Sequence, residues 1–215
     1  MSGKVRLFDM NGTIRNDLDA VLSAMNDVLR HYGIPALTVG KYRKSATPDY
    51  WTIYRGLGVP DSERPSVDRL FAQFFKGYEH DVRAFPDAAD VIKRLKEKGH
   101  AIGIVSNLTR KRLSGHVRDY GLGKFVDIVV SREDADELKP SPKPLLLAFS
   151  RLGVPPENGA YVGDQIWDVQ SARSAGTSPI AISRAGSYHS RRMLESAEPD
   201  RIINKLPSLL YFNSG

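Results

Sequence analysis

The stretch Val5-Arg6-Leu7-Phe8-Asp9-Met10-Asn11-Gly12-Thr13 decides the fold. Val5 to Phe8 have strand character and deliver Asp9 to a strand's carboxyl end, where open α/β sheets bind their ligands. Gly12, lacking a Cβ, lets backbone approach a bound anion closely.

Outward from this stretch, residues 17–82 read as helices alone. Leu18, Val21, Leu22, Met25, Val28 and Leu29 recur at helical spacing and stop at Gly33-Ile34-Pro35. Thr47-Pro48 predicts an N-cap with proline in the first turn of a short helix through Tyr54, and Ser66 predicts the start of a helix carrying Leu70, Phe71, Phe74 and Phe75. From Phe85 the pattern alternates. A helix over Asp87 to Lys98 closes at Gly99, and strands are expected at Ala101–Val105, Asp127–Val130, Ala160–Val162 and Pro179–Ile182, with helical segments between them. Such alternation predicts an α/β fold with a parallel sheet covered on both faces. Pro140, Pro142 and Pro144 read as a rigid turn.

Composition sets outer bounds. The 215 residues are enough for one sizeable core, or for a core carrying a smaller inserted domain. A hydrophobic fraction of 41% with 26% charged residues is ordinary for a soluble protein, and no apolar run nears the roughly 20 residues that span a bilayer. No membrane partner is expected, and without a secretory pattern at the start the default location is cytoplasmic. The absence of cysteine excludes thiol nucleophiles and thiolate metal sites, so any metal must sit on oxygen or imidazole. A net charge of +6 would suit either nucleic acid or a small anion. Because the basic residues are spread over helix faces, solvation explains most of them and a nucleic-acid partner is not favoured. Oligomeric state is not legible.

Four strand ends carry polar groups: Asp9, Ser106-Asn107, Lys139 ahead of the prolines, and Gly163-Asp164 with Asp168 following. In a parallel sheet these ends converge. A carboxylate nucleophile, a hydroxyl, a fixed ammonium and two further carboxylates suit phosphoryl transfer with a hard divalent cation such as Mg²⁺. The cation has a physical purpose, since Asp9 cannot attack a dianionic phosphate unless nearby positive charge offsets the repulsion.

The ordered set Asp9-Met10-Asn11-Gly12-Thr13, Ser106-Asn107, Lys139-Pro140-Ser141-Pro142 and Gly163-Asp164-Gln165-Ile166-Trp167-Asp168 resembles the haloacid dehalogenase superfamily, and Ala172 to Gly176 adds a likeness to its phosphoglycolate phosphatase-like members. The resemblance implies a Rossmann-like parallel-sheet core over residues 1–16 and 83–215 with an inserted all-helical cap over 17–82. It implies an enzyme hydrolysing small phosphate monoesters of a phosphorylated metabolite, with Mg²⁺ as cofactor. Asp9 would form an aspartyl-phosphate. Gly12, Thr13, Ser106, Asn107 and Lys139 would bind the phosphate, and Lys139 would also steady the nucleophile; Lys143 competes for that place, and Lys139 is preferred for its spacing to Pro140 and Pro142. Asp9, Asp164 and Asp168 would hold the metal together with the backbone carbonyl of Asn11.

At the position of Asn11 the family usually has an aspartate that protonates the leaving alkoxide and later activates water. Asparagine does neither, and losing a positioned acid/base costs on the order of 10²- to 10⁴-fold in rate. The expected outcome is an intact anion and metal site with weakened turnover, and the alternative is a catalytically quiet phosphate-ligand-binding or regulatory protein. The residue could be an engineered substitution, a natural loss of activity, or the mark of an enzyme whose proton donor comes from elsewhere.

Other candidates have plainer readings. Tyr42, Tyr50, Trp51, Tyr54, Phe71, Phe74, Phe75 and Tyr78 are expected to build the core of the helical segment rather than a substrate pocket. Arg43, Lys44 and Arg55 could contact the organic end of an acidic substrate, with surface solvation the alternative. His31, His80, His100, His116 and His189 show no metal spacing, so surface or capping roles are expected.

Overall fold

The computed structural model describes residues 4–212. In chain order its elements are β1 (Val5–Phe8), β2 (Arg15–Asn16), α1 (Leu18–His31), α2 (Val39–Ser45), α3 (Trp51–Gly56), α4 (Arg64–Tyr78), β3 (Arg83–Ala84), α5 (Ala88–Glu97), β4 (Ala101–Val105), α6 (Arg110–Asp119), β5 (Ile128–Val130), α7 (Lys143–Leu152), β6 (Gly159–Gly163), α8 (Ile166–Ala175), β7 (Ser178–Ile182), α9 (Arg191–Glu195) and β8 (Arg201–Ile203). The chain divides into two compact units, one running to Arg15 and resuming at Ala84, the other spanning Asn16–Arg83.

The first unit is built on a six-stranded sheet in the order β5-β4-β1-β6-β7-β8. Its pairings are parallel, with Val5 in register with Ala101 on one side and Gly159 on the other. β1 is central because its side chains are buried on both faces, and the two-residue period sends them to different cores. Phe8 joins Ile92, Ile104, Leu113, Val162 and Ile182 in one cluster, while Leu7 joins Val105, Leu145, Phe149 and Ala172 in the other. Each fully buried side chain of this kind contributes about 1.5–3 kcal/mol of hydrophobic free energy. From β1 the sheet grows through β4 to β5, then restarts at β6 on the other flank of β1. That reversal places the switch point at the end of β1, where Asp9 stands.

The five expected strands are present, with β5 beginning at Ile128 rather than Asp127. β8 was not expected. Pro144 is not part of the turn; it lies in the first turn of α7, where its missing N–H costs nothing.

The second unit is helical, with α1 packed on α4. Thr38 caps α2, its hydroxyl accepting from the Lys41 amide at 3.3 Å. Two expected boundaries are corrected. Thr47 is not an N-cap; its hydroxyl pairs with that of Thr52, and α3 begins at Trp51. The next helix begins at Arg64, ahead of Ser66, with Pro65 in its first turn. Tyr42, Trp51, Tyr54 and Phe75 are buried, with Trp51 stacked on Tyr54 and Phe71 on Phe75. No described helix is long and apolar enough to cross a membrane.

Candidate active site

β1 hands over to a tight turn. The Asp9 amide donates to the Val162 carbonyl at 2.9 Å, extending the parallel pairing by one residue, and the Met10 carbonyl then accepts from both Ile14 and Arg15. Gly12 adopts φ +73°, and its amide donates to the Arg15 carbonyl at 2.7 Å. A Cβ on Gly12 would collide with the Asp164 carboxylate, so the glycine is required both by its backbone conformation and by the close approach of motifs 152 residues apart in the chain, from Gly12 to Asp164.

Lys139 is the centre of the site. Its ammonium is 2% exposed and donates to Asp9 Oδ1 at 2.8 Å, Asp168 Oδ1 at 2.6 Å and Tyr161 Oη at 2.6 Å. Three donors meet three acceptors, which satisfies the buried cation. Tyr161, on β6, donates its own hydrogen bond to the Val105 carbonyl at 2.9 Å. Asp168 is fixed through its other oxygen, which accepts from the Gln165 amide at 3.0 Å in a capping box at the start of α8. Lys143, the competing lysine, pairs with Glu137 at the surface instead.

Asp164 is fully buried and held from two sides. Its Oδ2 accepts from the Tyr188 amide at 2.6 Å, and its Oδ1 accepts from the Thr13 hydroxyl at 3.4 Å. Ser106 directly follows β4 and is buried, with its amide donating to the Val130 carbonyl at 3.0 Å. The Asn107 side chain accepts from the Lys139 amide at 3.1 Å and donates to the Lys139 carbonyl at 3.2 Å. Its carboxamide therefore positions the lysine. Asn11 follows Asp9 with its side-chain oxygen buried and without a hydrogen-bond partner.

Burial raises the Asp9 carboxyl to about 6, with Asp168 acting in the same sense and Lys139 opposing both. Burial alone would lower the Lys139 ammonium, but Asp168 and Asp9 outweigh it, and the lysine is held above its usual value. One oxygen each from Asp9, Asp164 and Asp168 lies within 4.8 Å of the other two. Three carboxylates against one ammonium leave two formal negative charges in a buried site. A set of hard anionic oxygens with that excess fits a divalent cation.

Two contributors escaped the sequence reading. Tyr161 sits on an otherwise apolar strand, and its one signal was a hydroxyl two residues before Gly163. Arg184, just beyond β7, donates to the Thr13 carbonyl and to Asp87 Oδ1 at 2.8 Å, and its guanidinium lies 3.5 Å from the Phe85 ring centroid. It ties the end of the Asp9 turn to the segment entering α5. His189 is buried, and its Nδ1 accepts from the Ile166 amide at 2.8 Å, a capping role at α8.

Comparison with known proteins agrees with this arrangement. A family profile of haloacid dehalogenase-like hydrolases matches residues 6–182. The pyrophosphatase PpaX of Bacillus velezensis is 27% identical over 214 residues, covering 95% of this chain and 94% of its own. The PpaX of Bacillus cereus is 28% identical, covering 95% and 93%. A crystal structure from Haemophilus somnus, described as a predicted phosphoglycolate phosphatase, superposes with a TM-score of 0.83 at 19% identity over 97% of this chain and 96% of that one. Three of the four expected strand ends, those of β1, β4 and β6, carry the polar groups, while Lys139 comes from the loop between β5 and α7; with the sheet and the turn after β1 in place, the chain belongs to the haloacid dehalogenase-like hydrolase family.

Proposed function

We propose that this protein is a Mg²⁺-dependent phosphatase that hydrolyses small phosphate monoesters through an aspartyl-phosphate on Asp9, with turnover reduced by Asn11. The observation that carries the proposal is the buried cluster in which Lys139 joins Asp9 to Asp168 beside Asp164. Asp9 is the nucleophile. Lys139 holds its carboxylate in one orientation and contributes positive charge where the phosphoryl group would lie. The Ser106 hydroxyl, the Asn107 amide and the Gly12-Thr13 backbone supply further phosphate contacts. Mg²⁺ would be held by Asp9, Asp164, Asp168 and the Asn11 carbonyl, and when bound it would offset the charge of the phosphate. The relatives' names, a pyrophosphatase and a predicted phosphoglycolate phosphatase, support a phosphorylated small molecule as substrate. Residues 16–83 would form the cap that selects it.

The missing acid at position 11 also favours a second reading, a phosphate-ligand binder without turnover. Hydrolysis of para-nitrophenyl phosphate by this chain and by Asn11→Asp, with and without Mg²⁺, separates the two. Metal-dependent turnover that disappears in Asp9→Ala is the expected result; its absence from both proteins, with tight metabolite binding by calorimetry, would favour the binder.

A further inference from the structure

The loop that follows β7 reaches the core site from a side that none of the sequence motifs covers. In Arg184-Ala185-Gly186-Ser187 the Ser187 amide donates to the Arg184 carbonyl at 3.1 Å, closing a turn whose third position, Gly186, has φ +87°. The Ser187 hydroxyl braces it, accepting from the Arg184 amide at 3.1 Å and donating to the Ile182 carbonyl at 3.3 Å. Two donors leave this turn for the site. The Arg184 side chain, 11% exposed, donates to the Thr13 carbonyl, and the Tyr188 amide donates to Asp164 Oδ2 at 2.6 Å. Thr13 and Asp164 are themselves joined, the Thr13 hydroxyl donating to Asp164 Oδ1 at 3.4 Å. The result is a closed ring of hydrogen bonds, from Arg184 to Thr13, to Asp164, to Tyr188 and back along the turn.

Arg184 is aimed by its remaining contacts. Asp87 Oδ1 accepts from it at 2.8 Å, Asp87 Oδ2 accepts from the Leu206 amide at 2.9 Å, and the guanidinium lies 3.5 Å from the Phe85 ring centroid. A planar fork of donors can serve the Asp87 carboxylate and the Thr13 carbonyl together, which the compact ammonium of a lysine cannot. We infer that Arg184 is a positioning residue: through the Thr13 carbonyl it sets the separation between the turn after β1 and Asp164. The inference rests on the phosphate role proposed for Gly12-Thr13 and the metal role proposed for Asp164, and it adds a residue that acts without touching either ligand. Altering partners at this remove typically changes metal affinity or activity by about 10- to 100-fold.

The test compares the full chain with Arg184→Lys and Arg184→Ala by calorimetric titration with Mg²⁺ and by kinetics on para-nitrophenyl phosphate. In both variants Mg²⁺ should bind about tenfold more weakly and KM should rise by a similar factor. The change in kcat should be much smaller, because Asp9 and Lys139 keep their contacts. Methylguanidinium should restore both quantities in Arg184→Ala, and ammonium at the same concentration should not. Such restoration separates positioning from damage to the fold, since guanidinium compounds weaken folded proteins. Unchanged Mg²⁺ affinity and KM in the folded variants, or a defect in Arg184→Ala that methylguanidinium leaves in place, would overturn the inference, while Asp9-dependent turnover keeps the phosphatase reading. If the chain binds Mg²⁺ without turnover, the phosphatase reading fails and the titrations alone decide the role of Arg184; a chain that binds no Mg²⁺ sinks both. Should Arg184→Ala not fold, Arg184→Lys, which keeps a positive charge beside Asp87, carries the comparison.

Discussion

Lys139 stands between two carboxylates and a phenol with almost no solvent, so its removal costs more than its own three hydrogen bonds. Lys139→Met would leave Asp9 and Asp168 buried without a counter-charge, and breaking a buried pair in this way typically costs about 3–5 kcal/mol. Thermal melting should fall by roughly 10 °C for a chain of this size, and adding Asp168→Asn should restore part of the loss; an unchanged melting temperature would contradict the buried ion-pair geometry. Gly12→Ala is argued at the same scale. Positive φ and the collision with Asp164 predict about 1–3 kcal/mol of destabilisation together with weaker Mg²⁺ binding, read by calorimetry on the folded variant. Asp9 and Asp164 were legible as candidate site residues because each stands where an apolar strand ends, which is where a parallel sheet gathers its ligands, and Lys139 because it stands just ahead of a proline turn. Tyr161 and Arg184 were not, since their roles lie in partners far along the chain: Tyr161 and Lys139 are 22 residues apart, Arg184 and Thr13 171. Asn107 was legible as a candidate site residue, but not as the residue that holds the Lys139 backbone.

At the scale of elements, α6 carries a pH-dependent part of the stability. His116 is half-buried on this helix, stacked on Tyr120 at 5.9 Å between ring centroids, with Arg15 and Arg112 facing it and Asp119 nearby. Burial lowers its pKa to about 4, the two arginines add to the effect, and Asp119 only partly opposes them. The folded pKa lies below the unfolded value, so the neutral ring contributes full stability above about pH 6.5. That contribution is lost as pH falls from about 6.5 towards 4, because the unfolded chain takes up the proton first. With its partial exposure, the loss is on the order of 1–2 kcal/mol. His116→Phe, which keeps the stacking on Tyr120, should flatten the decline of urea-unfolding free energy in that window; an identical slope in both proteins would refute the assignment. Long periodic elements such as α1 and the buried strands β4 and β7 could be read from residue spacing. β8 has three residues and α2 little apolar period, so tertiary pairing defines the first and the Thr38 cap the second.

Considered whole, the chain carries a net charge of +6, while its buried carboxylate cluster holds two excess negative charges. The sheet order that gathers these carboxylates could be inferred only as far as alternation implies parallel strands; which strand flanks β1 depends on packing across the whole chain. A divalent cation that binds the folded carboxylate cluster, and not the dispersed carboxylates of the unfolded chain, stabilises the native state by mass action. At a free concentration about a hundredfold above Kd that amounts to about 2.7 kcal/mol. For a chain of this length the melting temperature should rise by roughly 5–10 °C on adding Mg²⁺ and return on chelation. Sodium chloride at matched ionic strength should not reproduce the rise, since screening acts on the exposed basic surface far more than on the buried acids. Asp164→Asn removes one of the three carboxylates from the cluster, so the Mg²⁺-induced shift should largely vanish in it. A shift of equal size in Asp164→Asn would place the ion elsewhere on the molecule.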